Sequence, residues 1–264
     1  MHPLFPHLLV VCVVLLTMIL FALRSLFYGP FKPPEKVNPN TSLLVPTFIA
    51  NWTFWCLGYA VKVLIRLRFT PNRVTAASAL FGCLAGISFA SGWFAGAGWL
   101  IILSGAFDMM DGWLARSTGQ MSRAGGFIDS VADRYVEIFL YLGLSIYWRD
   151  HWWMMFLCAL AITGAIMVSY TRARGESMGV LYKKGLFQRG ERMFFLAIVT
   201  TFTPFIQLLI NPEAERPFYA PVALVVIATA VMANIGALQR FRAIAQLINS
   251  DEQKPAEQTE KQAG

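Results

Sequence analysis

The chain has 264 residues, 56% of them apolar and 14% charged, with a net charge of +7, against roughly 25% charged residues in an ordinary soluble domain. This excludes a disordered chain and points to an all-α integral membrane protein, because several apolar runs approach the ~20 residues a helix needs to cross the hydrocarbon core. The Lys and Arg residues stand between apolar runs and form no basic patch, so no nucleic-acid partner is expected.

Residues 8–23 form the first apolar run. They lack a basic leader and a small-residue cleavage site, so segment 1–27 reads as a retained N-terminal span and not as a signal peptide. Gly29-Pro30-Phe31-Lys32-Pro33-Pro34 cannot continue a helix, and 28–45 reads as a Pro-rich linker. Segment 46–69 is apolar but carries Asn51, Lys62, Arg66 and Arg68. Basic residues precede it (Lys32, Lys36) and follow it (Arg68, Arg73), so a crossing would leave one group on the wrong side under the positive-inside rule. An amphipathic helix lying in the cytoplasmic interface fits better.

Thr70-Pro71-Asn72 then supplies a helix start. Segment 70–242 holds six spans, expected at 74–93, 97–115, 127–147, 152–171, 192–210 and 217–238. Segment 243–264 is polar and reads as a disordered cytoplasmic tail. Only Arg149 and Arg216 of the 22 Lys and Arg residues fall on the side opposite the rest, which puts the N-terminus outside and the basic loops in the cytoplasm. Trp52, Trp55, Trp152 and Trp153 sit near expected interfaces as an aromatic belt. Cys12, Cys56, Cys83 and Cys158 are far apart, with no CxxC pair and no histidine nearby, which argues against zinc.

Carboxylates inside spans cost about 2.5–3.5 kcal/mol each on insertion scales and point to function by default. Asp108 and Asp111 stand at i,i+3 near the cytoplasmic end of the second core span. Asp129 and Asp133 stand at i,i+4 near the start of the third. Each pair lines one helix face, and the short connection between the spans makes the helices antiparallel neighbours, so all four can converge. Crowded carboxylates are relieved by protonation or by a cation, and an oxygen-only donor set suits Mg²⁺, Mn²⁺ or Ca²⁺. Gly112, Gly125 and Gly126 flank the acids where a side chain would block a ligand. Ala115 is also small, and Arg116 adds a cation suited to phosphate. The set reads as a site for a phosphate-bearing molecule, such as a nucleotide diphosphate.

The stretch from Asp108 to Asp133 has the pattern D-x2-D-G-x2-A-R-x8-G-x3-D-x3-D and resembles the signature of the CDP-alcohol phosphatidyltransferases, a likeness that extends over about 68–242. It implies a six-span core, an active site facing the cytoplasm, a CDP-diacylglycerol donor in the bilayer, Mg²⁺ or Mn²⁺ as cofactor, release of CMP, and a homodimer, with a bacterial inner membrane as the expected location. By that resemblance Asp108, Asp111 and Asp129 hold the metal. Asp133 completes the metal site beside them and acts as general base on the acceptor hydroxyl, while Gly112, Ala115, Arg116 and Gly125 line the CDP pocket.

Ser169-Tyr170-Thr171-Arg172-Ala173-Arg174 and Gln188-Arg189-Gly190-Glu191-Arg192 lie in the loop expected between the fourth and fifth spans. Several arginines there could grip a second phosphate, although positive-inside flanks explain Lys183 and Lys184 equally well. These elements resemble the branch that makes phosphatidylinositol phosphate or archaetidylinositol phosphate. In that branch Ser169, Arg172, Arg189 and Arg192 would bind the phosphate of inositol 1-phosphate. Gln188 and Gly190 depart from its usual Glu-Arg-Pro-Glu-Arg. Glycerol 3-phosphate and an unphosphorylated alcohol remain alternative acceptors, and a cation transporter is the reading from a different class. Arg134 and Glu137, at i,i+3, are expected to form an ion pair.

Overall fold

A computed structural model describes residues 5–31, 46–182, 187–210 and 216–262. Among the described residues there are eight helices and no strand. They are α1 (Phe5–Tyr28), α2 (Thr47–Arg66), α3 (Pro71–Ala90), α4 (Phe94–Thr118), α5 (Arg123–Tyr147), α6 (Trp152–Ser177), α7 (Arg189–Ile210) and α8 (Ala220–Gln262). Six of them are long and apolar enough to cross a membrane: α1, α2, α3, α6, α7 and α8. The two that are not, α4 and α5, carry Asp108, Asp111 and Arg116, and Asp129, Asp133, Arg134 and Glu137. α2 meets the length and apolarity of a span, so its interfacial placement rests on its flanking charges alone.

Helix ends differ from the expected ones in a consistent way. α3, α4, α5 and α7 each begin three or four residues early, because apolar periodicity marks the buried stretch while the helix continues to its cap. α6 runs to Ser177, so Ser169, Arg172 and Glu176 lie on a helix and not in a loop. The Arg172–Glu176 ion pair at i,i+4 supports this extra turn. α8 continues through the segment expected to be a disordered tail. Ile244 extends the buried stripe there, at 7% exposure, and Glu, Gln, Lys and Ala beyond it are good helix formers. Most of the linker 28–45, and Lys183 and Lys184 of the basic segment, fall outside the described residues.

The chain divides into two compact units. One comprises Met1–Leu84 with Trp99–Tyr135, the other Ala85–Gly98 with Val136–Gly264. In the first, a small core joins Phe54 and Val61 of α2, Val74 of α3, and Met110, Trp113 and Leu114 of α4. Phe54 meets Trp113 edge to face at 6.1 Å. α3 and α4 are locked by a reciprocal pair of bonds, Ser78 Oγ donating to the Ser104 carbonyl at 2.8 Å and Ser104 Oγ to the Ser78 carbonyl at 2.9 Å. Small polar residues of this kind let membrane helices approach closely.

In the second unit α6 packs most extensively against α8. Asn234 of α8 donates to the Leu160 carbonyl at 2.9 Å, and Gly164 leaves no room for a side chain against Asn234 and Ala233. At the far end of α5, Tyr147 Oη donates to the Pro217 carbonyl at 2.6 Å and Trp148 Nε1 to the Phe218 carbonyl at 2.9 Å. α3 and α5 touch backbone to backbone here, since a Cβ on Gly143 would strike the Gly86 carbonyl and one on Gly86 the Phe139 carbonyl. Gly143→Val is therefore expected to destabilise the detergent-solubilised protein by about 1–3 kcal/mol through overpacking, read as a fall of about 2–10 °C in thermal midpoint. Gly105→Ala, where a methyl meets nothing within 4 Å, is the control expected to leave the midpoint within about 1 °C.

Candidate active site

The site is built where α4 turns into α5. Gly119, at φ +69°, ends α4 in the left-handed conformation that glycine adopts without a steric penalty. The Gln120 N–H then donates to the Ala115 carbonyl at 3.0 Å, a Schellman closure. Ser122 caps the next helix by accepting the Gly125 N–H at 3.0 Å. A side chain at Gly125 would come within 3.0 Å of Ser122 Oγ and 3.4 Å of Asn72 Oδ1. The glycine of the motif thus leaves room for the Ser122 cap and for Asn72 of the first turn of α3, which a side chain there would crowd.

This turn brings Asp108 of α4 together with Asp129 and Asp133 of α5. One carboxylate oxygen from each lies within 4.8 Å of the others, and all three side chains are half-buried. Three carboxylate oxygens this close together form a donor set that would hold one divalent cation once drawn inward. Hard oxygen donors without sulfur or nitrogen suit Mg²⁺ or Mn²⁺.

Asp111 lies next to this group, with Asp129 and Asp108 as its electrostatic neighbours, but is not one of the three. It is 6% exposed, and its Oδ2 accepts the hydroxyl of Thr75 at 2.7 Å. Asn72 and Thr75 occupy one face of the first turn of α3. Sequence reading treated Asn72 only as a cap and passed over Thr75; the signal was their i,i+3 spacing beside Pro71, which puts two polar side chains on a single face.

Arg116 folds back along α4 over Gly112. A Cβ on Gly112 would lie 3.3 Å from Arg116 Nη1 and 3.4 Å from Nη2. Glycine there keeps the guanidinium close to the helix surface, and Arg116 Nε is buried without a hydrogen-bond partner. Ala115 is half-buried beside it.

The basic residues of α6, α7 and α8 belong to the second unit. Ser169 Oγ donates to the Ala165 carbonyl at 3.2 Å. Arg172 is exposed and its Nε donates to Glu176 at 2.8 Å. Arg189 is the first residue of α7 and is half-buried. Arg192 differs from these in being fully buried: its Nε and Nη2 meet Glu137 Oε1 at 2.7 and 2.6 Å, and its Nη1 donates to the Phe187 carbonyl at 2.8 Å. Glu137 therefore pairs with an arginine 55 residues away, which i,i+3 arithmetic on one helix could not show. Arg240 of α8 was also missed, because the last span was expected to end at 238. It is 6% exposed and donates to the Val168 carbonyl at 2.6 Å, with Arg172, Arg192, Tyr182 and Glu176 as electrostatic neighbours.

Comparison with known proteins gives this geometry a family. An archaetidylinositol phosphate synthase from Pyrococcus horikoshii is 34% identical over 142 residues, 53% of this chain and 74% of that protein. A phosphatidylinositol phosphate synthase from Cutibacterium acnes is 30% identical over 161 residues, 59% of this chain and 77% of that one. Crystal structures of Mycobacterium tuberculosis phosphatidylinositol phosphate synthase share the fold. The form with CDP-DAG bound has a TM-score of 0.61 at 22% identity and covers 71% of this chain and 92% of that one. The form with manganese and citrate has a TM-score of 0.62 at 21% identity, covering 71% and 88%. The family model for CDP-alcohol phosphatidyltransferase matches residues 68–236, a range that includes the three converging aspartates, the Ser122 cap and the arginines of α6 and α7, and the chain belongs to that family.

Proposed function

We propose that the protein transfers a phosphatidyl group from CDP-diacylglycerol to the hydroxyl of inositol 1-phosphate, releasing CMP. The observation that carries this reading is the convergence of Asp108, Asp129 and Asp133 within the matched region. When bound there, Mg²⁺ or Mn²⁺ supplies Lewis-acid stabilisation of charge on the pyrophosphate oxygens. Asp111, oriented by Thr75, completes the acidic wall. Asp133 takes the proton of the acceptor hydroxyl; that oxygen bonds to the phosphorus bearing the lipid, and the bond from that phosphorus to CMP breaks. Gly112, Ala115, Arg116 and Gly125 line the CDP side, where small residues admit the nucleotide and Arg116 faces its phosphates.

For the acceptor we favour a phosphorylated alcohol. Two relatives named as inositol phosphate lipid synthases and the concentration of Ser169, Arg172, Arg189 and Arg240 in one unit both support it. Arg172 would exchange its exposed carboxylate partner Glu176 for the acceptor phosphate, since an exposed i,i+4 pair contributes little. The same reading places the site at the cytoplasmic face of a bacterial inner membrane and the protein in a homodimer. A site at the membrane edge suits a donor whose acyl chains stay in lipid while CDP and the acceptor are water-soluble.

Purified protein given CDP-diacylglycerol and Mg²⁺ is expected to release CMP with inositol 1-phosphate and not with glycerol 3-phosphate, serine or free inositol. Release only with an unphosphorylated alcohol would remove the phosphate-binding role of the arginines. Asp133→Asn is expected to lower turnover by about 10³-fold or more, a loss that persists at Mn²⁺ concentrations high enough to restore donor binding through Asp108 and Asp129; wild-type turnover would show that another group takes the proton. Thr75→Val should raise the Mn²⁺ concentration for half-saturation, followed by electron paramagnetic resonance, by about tenfold, the cost of losing a group that orients an acid beside a metal. Thr75→Ser should restore it, whereas equal Mn²⁺ affinity in all three proteins would show that Asp111 needs no orienting hydroxyl.

A further inference from the structure

Arg192 and Glu137 are 0% and 2% exposed. A buried ion pair contributes little net stability, because desolvation of both charges offsets their attraction, and apolar residues of similar volume often serve as well. The two groups that Arg192 holds suggest another use. Its Nε and Nη2 take Glu137 of α5, and its Nη1 takes the carbonyl of Phe187, two residues before α7 begins.

Phe187 has φ +53°, a left-handed backbone that a bulky residue adopts only when its surroundings impose it. Its side chain is buried and stacks on Phe195 at 6.1 Å. The next residue, Gln188, donates its N–H to Glu191 Oε2 at 2.9 Å, the return half of a capping box. The entry to α7 is thus fixed at its carbonyl, its first N–H and its third turn residue, and Arg189 lies between these fixed points.

We infer that Arg192 is a positioning residue and not a phosphate ligand: with Glu137 it anchors the entry to α7 so that Arg189 is presented in one orientation to the acceptor. This rests on the reading of Arg189 as an acceptor-phosphate group. A guanidinium whose Nε and Nη1 already donate to a carboxylate and a backbone carbonyl, and which has no exposed surface, cannot also reach a soluble phosphate without dismantling the turn. Lysine cannot replace it, since a single ammonium lacks the planar fork that reaches both partners at once.

The test is a double-mutant cycle on the full-length protein with Glu137→Gln, Arg192→Lys and the two combined, measuring KM for inositol 1-phosphate, KM for CDP-diacylglycerol, kcat and thermal midpoint. Each single change is expected to raise the acceptor KM about tenfold with the donor KM within about twofold, and the combination to be no worse than either alone, as for two groups acting as one. Glu137→Leu with Arg192→Met should regain the thermal midpoint without regaining the acceptor KM. An acceptor KM raised by Arg192→Lys but unchanged by Glu137→Gln would overturn the inference and make Arg192 a ligand. Loss of thermal midpoint with an unmoved acceptor KM would overturn it in favour of a purely structural pair. The wild-type acceptor panel reads separately: glycerol 3-phosphate in place of inositol 1-phosphate overturns the acceptor assignment alone, with the cycle then run on that substrate, and an unphosphorylated acceptor overturns both.

Discussion

Three carboxylates whose oxygens lie within 4.8 Å of one another set the terms for the rest of the site. Two full negative charges at that distance repel by about 3–4 kcal/mol at an effective dielectric near 20, and the group contains three such pairs. Nothing in an apolar helix packing favours this; a divalent cation does, and its two charges turn the mutual repulsion into a shared attraction. The surrounding chain can then be understood as what is needed to hold the acids together before the cation arrives. Gly119 and the Ser122 cap fix the turn between α4 and α5. The Thr75 hydroxyl turns Asp111 toward α3, which keeps a fourth charge next to the group without adding it to the closest contact.

Elsewhere the chain applies the same physics with the opposite sign. Glu137 and Arg192 compensate each other's charge inside the second unit through Glu137 Oε1. The aspartates are only half-buried and remain accessible to a ligand. The buried pair marks a fixed point in the scaffold, and the half-buried acids mark where a divalent cation would be held. The contrast explains why exposure separates Arg172 and Arg189 from Arg192 more clearly than residue type does.

Much of this was legible in the sequence because it depends on local spacing. Helical periodicity places Asp108 with Asp111 and Asp129 with Asp133 on single faces, and a short connection makes their helices neighbours. The extension of α6 to Ser177 was hidden because hydropathy falls before the helix ends, and the continuation of α8 was hidden by a polar composition that is nevertheless good for helix. Long-range partnerships were beyond local arithmetic altogether. Glu137 sits three residues from Arg134 and pairs with Arg192. Arg240 looks like a flanking charge until α8 is seen to run past residue 238 and to pack on α6, with Ile244 against Gly175.

The segment before the matched family region has a structural reason to be there. α4 carries Asp108, Asp111 and Arg116 and is not among the six helices that meet the length and apolarity of a span, so the neighbours that cover it matter more than they would for a Leu-rich helix. α2, which ends at Arg66, before the matched region begins at residue 68, supplies Phe54 and Val61 to the core around Trp113. Gly58 lets the indole approach so closely that a Cβ there would lie 3.1 Å from it. Trp113 directly follows Gly112 in the motif, and its ring, 7% exposed, keeps α4 from rotating about its own axis. A rotation of one residue position would swing Asp108 and Asp111 together by about 100° and take Asp108 away from Asp129 and Asp133 of α5. The acidic group therefore depends on an apolar contact made by a helix outside the family's own boundary, in which small and aromatic residues interlock as they do where lipid offers no hydrophobic drive for helix association.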